Sequence, residues 1–428
     1  MPIEKMKQFK NKYAPKGSFR AHVLTLTGGT AIAQAVVLLA SPLLTRFYPP
    51  QQFGEFALFM AFVSVLSVIA TGSYQLAINI PKEDNSAFQI FLSVIALAMA
   101  FSLLCLLLIA FGYQWASLFF HIPVKSLFMI PLGIAVVGCS EAVNYWLIRA
   151  NQFQALAIRR IVQYAVMVMT QIVGGIFHWG ALGLIGGYLL GQLAACTFLG
   201  EFIFQGAKQS FAKGGAHWST HFVRFREFPF FSMPSRLVNT FSDQIPNFLI
   251  NQFFGSLVLG MFTLPIRYLD APIALIARSV QDVFKERASR DYRETGTCTD
   301  IYMKTLRALA VIGIFPFALI FVMAPLAVPF IFGEQWAPAG RITQVLTVMF
   351  YFRFVAQPLT YVFTVVEKQN YNLAWQCILA LVVTGAFMIS VWLNNITVGI
   401  MYYSAGYSIM YLWSILWGFR LADGKKSS

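Results

Sequence analysis

Long apolar runs succeed one another along the chain, separated by short breaks rich in Gly, Pro, Asn and charge. Twelve are read at 20–46, 53–79, 87–112, 125–149, 155–178, 181–205, 229–253, 256–281, 301–330, 338–364, 371–393 and 396–419. A helix needs about 20 apolar residues to cross a bilayer. Backbone polar groups cannot go unpaired in lipid, so each run is expected to be a helix. The expected fold class is an all-α membrane protein with twelve transmembrane helices in two six-helix bundles. The first run follows a basic arm, as a signal peptide would. It exceeds the roughly 7–15 residues of an h-region and reads as a retained first helix.

Composition agrees. Of 428 residues, 58% are hydrophobic and 11% charged, against about 25% charged in a soluble domain. A cytosolic enzyme, a secreted disulfide scaffold and a disordered chain are excluded. Cys105, Cys139, Cys196, Cys298 and Cys377 show neither metal-ligand spacing nor a paired framework, so free thiols are expected. No His cluster suggests a metal, and no Gly-rich loop with Lys-Ser/Thr cradles phosphate. No catalytic residue and no cofactor are assigned; the chain reads as a non-enzyme.

The net charge of +14 is mostly a topology signal. One set of alternating loops holds 25 of the 31 Lys and Arg residues: the N-terminal arm, Lys82, Arg149 with Arg159 and Arg160, the central loop, 278–307, Lys368 and the tail. The opposite loops hold three, Arg46, Lys125 and Arg341, and three more fall within spans. By the positive-inside rule both termini are cytoplasmic; nucleic acid is not an expected partner. The reading divides the chain into a basic arm (1–19), a first bundle (20–207), a linker (208–228), a second bundle (229–420) and a tail (421–428). Residues 282–300 read as an amphipathic cytoplasmic extension, with Phe284, Ala288 and Tyr292 on one side. The outer loops are too short for a glycosyltransferase or polymerase site.

The halves resemble each other. Phe47, Gly54, Phe56 and Leu58 match Phe253, Gly260, Phe262 and Leu264 at an offset of 206. Gln152, Leu156 and Ala157 match Gln369, Leu373 and Ala374 at 217. The shift falls where 282–300 lengthens the second copy. Both copies begin on the same side, which predicts a parallel pseudo-two-fold repeat with a substrate path between the halves.

Ionisable residues at bilayer depth cost about 2.5–3.5 kcal/mol each on insertion scales, so they face an interior or a wet cavity. They are Glu141, Arg236, Asp243, Arg267, Asp270 and Arg353. Arg236, Asn239, Asp243 and Asn247 share one helix face, and Arg353, Gln357, Thr360 and Thr364 another. Span 1 carries Thr27, Thr30, Gln34, Ser41 and Thr45. Span 2 carries Ser64, Ser67, Thr71, Tyr74 and Gln75, and span 4 Glu141, Asn144 and Tyr145. Spans 1, 2, 4, 7, 8 and 10 thus form a polar inner set. Pro42, Pro234, Pro246, Pro265, Pro272 and Pro358 interrupt them, read either as ordinary kinks or as bends that serve alternate opening. The planar guanidinium suits phosphate and carboxylate, and hydroxyls and amides suit sugars. Candidate substrate-binding residues are Arg236, Arg353, Arg267, Asn239, Gln357, Gln34, Tyr74 and Asn144. Asp243, Glu141 and Asp270 are candidates to carry a coupling proton or Na⁺. The alternative for each charge is a structural ion pair. Arg267, with Asp270 one turn away, is the first expected to be neutralised.

LLTRFYPPQQFGEFALF (43–59) and ATGSYQLAINIPKED (70–84) resemble the start of the Wzx-type polysaccharide flippases of the multidrug/oligosaccharidyl-lipid/polysaccharide (MOP) exporter superfamily. YWLIRANQFQALAIRR (145–160), RSVQDVFKERASRDY (278–292) and PFIFGEQWAPAG (329–340) fall where that family has similar segments. The resemblance covers essentially the whole chain. It implies two six-helix bundles around a cationic central cavity, and alternating access. The cargo it implies is an undecaprenyl-pyrophosphate-linked oligosaccharide, such as an O-antigen repeat unit, moved to the periplasmic leaflet of a bacterial inner membrane. Membrane lipids, a polysaccharide polymerase and chain-length machinery are the implied partners. Here the mid-depth acids equal the arginines in number. The open alternatives are a cation-coupled drug or metabolite antiporter of the same superfamily, a lipid II flippase, which typically has two more helices, and a polysaccharide polymerase or ligase.

Overall fold

A computed structural model describes residues 19–197, 224–366 and 368–424. The arm lysines, Lys208 and Lys213 of the linker, and Lys425 and Lys426 of the tail lie outside the described residues. Among those residues every regular element is helical. The helices are α1 (Phe19–Phe47), α2 (Pro50–Thr71), α3 (Asp84–Phe120), α4 (Val124–Arg149), α5 (Phe153–Ile176), α6 (Ala181–Thr197), α7 (Met233–Thr295), α8 (Thr299–Phe332), α9 (Ala337–Leu359), the single turn α10 (Val362–Val365), α11 (Gln369–Trp392) and α12 (Ile396–Ala422). Nine helical segments among the described residues are long and apolar enough to cross a membrane, and Ala181–Cys196 is a shorter apolar helix. The chain is an integral, multi-pass membrane protein.

Local chemistry sets the ends. Pro50 opens α2 at a position where no backbone N–H is needed. The helix closes at Gly72 (φ 54), and Ser73 (φ 59) is left-handed too. Two such residues in a row turn the chain out of the helix axis and into a 3-10 turn, Tyr74–Asn79. The expected span 53–79 therefore ends early: its last turns are not α-helix. Span 10 is also divided, at Thr360, after Pro358 near the end of α9. The Asn395 side chain caps α12 by accepting from the backbone N–H groups of Thr397 (3.0 Å) and Val398 (3.4 Å). Gly255, at φ 82 and ψ 170, interrupts the 63 residues of α7; it lies between the expected spans 229–253 and 256–281.

The chain forms two compact units, the first ending at Gln244 and the second beginning at Ile245. In the first, α4 packs against α2, α3 and α6, and α5 against α1 and α6. Tyr48, 1% exposed, ties the α1–α2 corner to α5 by donating to Gln171 O at 2.6 Å; burial pushes its phenol up to about 12. A cluster of Ile78, Phe88, Phe91, Val143 and Leu147 closes the end of the bundle beneath the 3-10 turn. In the second unit α9 packs on α8 and α12, and α11 on α12. The amphipathic stretch beyond residue 282 continues α7, with Phe284 and Ala288 fully buried against Tyr302, Val362 and Ala422 and Tyr292 packed at the edge. The five cysteines are free of disulfides.

Burial sorts the helices. Within their most apolar windows, the segments holding α2, α4 and α9 are 56%, 67% and 56% buried, whereas α3, α8 and the α11 segment are 17%, 22% and 22% buried. The second group turns its surface to lipid. The first group carries Glu141 and Arg353.

Candidate functional site

Among the described mid-depth residues, each unit holds a mixed-charge cluster. In the first, the paired left-handed residues at the end of α2 aim the next polar side chains back at α4. Gln75 is fully buried, and its Nε2 donates to Glu141 Oε2 at 2.6 Å. The other Glu141 oxygen faces Arg236 Nη2 of α7 at 3.6 Å. Arg236 Nη1 also reaches Ser73 Oγ at 3.5 Å. Tyr145, one turn along α4 from Glu141, lies within electrostatic reach of both charges. The Gln75 Oε1 atom is buried with no donor.

In the second unit, Arg353 Nη2 of α9 lies 3.0 Å from Asp270 Oδ1 of α7. The approach is an ion pair that misses hydrogen-bond alignment, since that oxygen receives no hydrogen bond. Arg353 also sits 5.6 Å from the centre of the Phe350 ring, one turn back. From α12, Tyr403, Tyr407 and Tyr411 turn a ladder of rings toward it, with centres 4.8 and 5.9 Å apart. Gln357, one turn on from Arg353, buries an Oε1 with no donor.

The i, i+3 spacing offers Asp270 to Arg267; in the structure Asp270 also lies 3.0 Å from Arg353. Arg236 and Arg353, read as the arginines most available to a ligand, each face a carboxylate. Both pairs are open to their surroundings: the side chains are 31% and 35% exposed for Arg236 and Glu141, 28% and 39% for Arg353 and Asp270. Charged atoms turned to hydrocarbon would be costly, so these exposed parts need water. A pair this open contributes at most about 1 kcal/mol to stability.

The remaining candidates are dispersed. Asn144 Oδ1 accepts from Arg159 Nη1 at 3.4 Å. Gln34 of α1 buries an Oε1 with no donor. Tyr74 is half-buried on the 3-10 turn, Asn239 and Asp243 occupy exposed positions of α7, and Arg267 is half-buried. Several stripe hydroxyls are spent on their own helices: Ser41 donates to Val37 O at 2.7 Å and Thr45 to Pro42 O at 3.0 Å. Thr30 instead accepts from Arg160 Nη1 at 2.5 Å. Among the described residues no group of three or more His, Cys, Asp or Glu side chains could hold a metal.

Sequence reasoning missed Arg159. Counted with the loop charges, it is 4% exposed. It donates to Ser140 O (2.9 Å), the Ser140 hydroxyl, Asn144 Oδ1 and Ala195 O (3.3 Å), tying α4, α5 and α6 together. The signal was there: Arg159 and Arg160 are adjacent on a helix, so they point about 100° apart and cannot share one face.

The family described as polysaccharide biosynthesis protein matches residues 43–341. The teichuronic acid biosynthesis protein TuaB of Bacillus subtilis is 27% identical over 135 residues, 31% of this chain and 28% of its own length. The match therefore spans little more than a quarter of that curated relative. An inward-facing multidrug resistance MATE family transporter of the MOP superfamily superposes with a TM-score of 0.65 at 14% identity, over 94% of this chain and 96% of its own. The lipid II flippase MurJ, inward closed, gives 0.65 at 15% identity over 93% and 89%. A MOP superfamily transporter from Pyrococcus furiosus gives 0.59 at 16% identity over 96% and 98%. With these likenesses added to its helices and its family match, the chain belongs to the polysaccharide biosynthesis protein family and has the fold of the MOP superfamily, as its resemblance to the Wzx-type flippases implied.

Proposed function

We propose that the protein is a flippase that moves an undecaprenyl-pyrophosphate-linked oligosaccharide from the cytoplasmic to the periplasmic leaflet of a bacterial inner membrane by alternating access. The family match over residues 43–341 carries this reading. Burying a charged headgroup in hydrocarbon without partners is costly. Arginines and amides on the inner helices supply substitute partners, while the prenyl tail stays in lipid. The open ion pairs of Arg236 and Arg353 support a wet path rather than a dry core.

The proposal includes twelve crossings. The break at Gly255 divides α7 into two, and the short α6 and the 27-residue α12 complete the count. It includes the parallel repeat, the two-bundle division and cytoplasmic termini. Arg236, Arg353 and Gln357 are assigned to headgroup contact, with Asn239, Gln34, Tyr74, Asn144 and Arg267 as further contacts. A coupling proton or Na⁺ would use Asp243, Glu141 or Asp270. Glu141 and Asp270 both face guanidinium groups, which counts against the drug-antiporter alternative, where a carboxylate must receive a cation.

The test is leaflet exposure of a defined lipid-linked oligosaccharide in vesicles. Protein-containing vesicles should expose the headgroup on both faces, and those with Arg236→Ala or Arg353→Ala should do so at least tenfold more slowly. Equal exposure in protein-free vesicles overturns the reading. In cells, loss of the gene should strand the lipid-linked unit in the inner leaflet. Unpolymerised units in the outer leaflet would point to a polymerase instead.

A further inference from the structure

The two arginine–carboxylate pairs are built differently. Arg353 meets its carboxylate at 3.0 Å, over an aromatic ring. Arg236 meets Glu141 at 3.6 Å, and its other described contact, with Ser73 Oγ, is 3.5 Å long. Its carboxylate partner is held independently, by the 2.6 Å bond from Gln75. Gln75 is fully buried and follows two left-handed residues, so it is a fixed clamp. If Arg236 leaves, Glu141 keeps a donor. The guanidinium is the member free to change partners. A phosphoryl group offers it more charge and a bidentate set of oxygens.

We propose that Glu141, clamped by Gln75, is a built-in stand-in for an anionic headgroup: incoming phosphoryl oxygens displace it from Arg236, and the exchange unfastens the first turns of α7 from α4. This deepens the reading above and rests on it. Glu141 and Gln75 are positioning residues, acting through Arg236. The phosphoryl oxygens could belong to a lipid-linked pyrophosphate or to a free anion.

The experiment uses the full chain in detergent with two probes, inorganic pyrophosphate and lipid-linked oligosaccharide, and reads binding together with amide exchange across residues 234–244. Glu141→Gln should bind both probes about tenfold more tightly, and its α7 amides should exchange fast without ligand. Gln75→Met should do the opposite. Glu141, deprived of its clamp, leans on Arg236, and affinity falls several-fold. Arg236→Gln should lose at least tenfold. In the wild type, pyrophosphate should speed exchange in 234–244. Thermal unfolding checks that each variant is folded; should Glu141→Gln fail to fold, Gln75→Met and the wild-type exchange measurement decide. Unchanged or weaker binding by folded Glu141→Gln, or no fall in folded Gln75→Met, overturns the exchange. So does pyrophosphate that leaves α7 exchange unmoved. Tighter binding of pyrophosphate without a gain for the lipid would assign the seat to a free anion and overturn the headgroup assignment. If the wild type moves lipid-linked oligosaccharide in vesicles and these tests fail, only the exchange falls. If it does not move it, the flippase reading falls.

Discussion

Arg159 brings a full charge into a nearly closed site, and its acceptors among the described residues are all uncharged oxygens. Its planar fork is what lets one side chain satisfy carbonyls on two helices at once. Arg159→Met keeps the bulk but removes the donors that tie the three helices together, which should cost about 2–4 kcal/mol. The unfolding temperature in detergent should fall by several degrees, and Arg159→Lys should recover little of it. An unchanged midpoint would show that the ties carry no weight. That this residue is a brace was hard to read from the chain. Loop-charge counting uses position along the sequence and ignores direction around a helix. Asp270 shows the same limit: spacing along α7 points to Arg267, while the fold of the second unit also brings Arg353 to 3.0 Å from it, which linear spacing does not show. Partners across helices were not legible.

At the scale of the helix, breaks matter more than runs. The apolar runs were readable because bilayer thickness fixes their length. The gap near residue 255 was readable as well. The early end of α2 was not, because Tyr74–Asn79 stays apolar enough to extend the run while Gly72 and Ser73 turn it aside. Gly255 gives a clean test of such a break. A Cβ there would meet nothing within 4 Å, so Gly255→Ala acts through the backbone alone. Its φ of 82 with ψ 170 lies in a region nearly closed to other residues, at a cost of about 1–3 kcal/mol. Gly112→Ala, inside α3 with equally open space, should instead hold or gain up to about 1 kcal/mol. Chemical denaturation in mild detergent would separate the two; equal effects would mean that Gly255 is not strained.

For the whole molecule, the proposal fixes which loops meet the cytoplasm. In a cysteine-free background, Lys82→Cys should react with a membrane-impermeant maleimide only after the inner membrane is opened. Trp179→Cys should react in intact spheroplasts. The reverse pattern would invert the topology, and labelling of both from outside would break the span count. The two units differ in how the stretches paired by the proposed repeat end. The first unit ends its second helix in the 3-10 turn Tyr74–Asn79. Its counterpart stretch of α7 continues to Thr295 and buries Phe284 and Ala288. In the proposed repeat, the change of offset from 206 to 217 falls where α7 runs on to Thr295.

Ser73 is held in a backbone conformation that costs a non-glycine residue about 1–2 kcal/mol, and its hydroxyl faces Arg236. Glycine would relax the first and forfeit the second. Under the proposed function two selective pressures meet on one codon: heat tolerance favours the residue with no side chain, and cargo handling favours the one with an oxygen. If the proposed export is the role that keeps the oxygen, a lineage without need of it would be free to drift toward glycine there, leaving a trace of disuse in a protein that still folds.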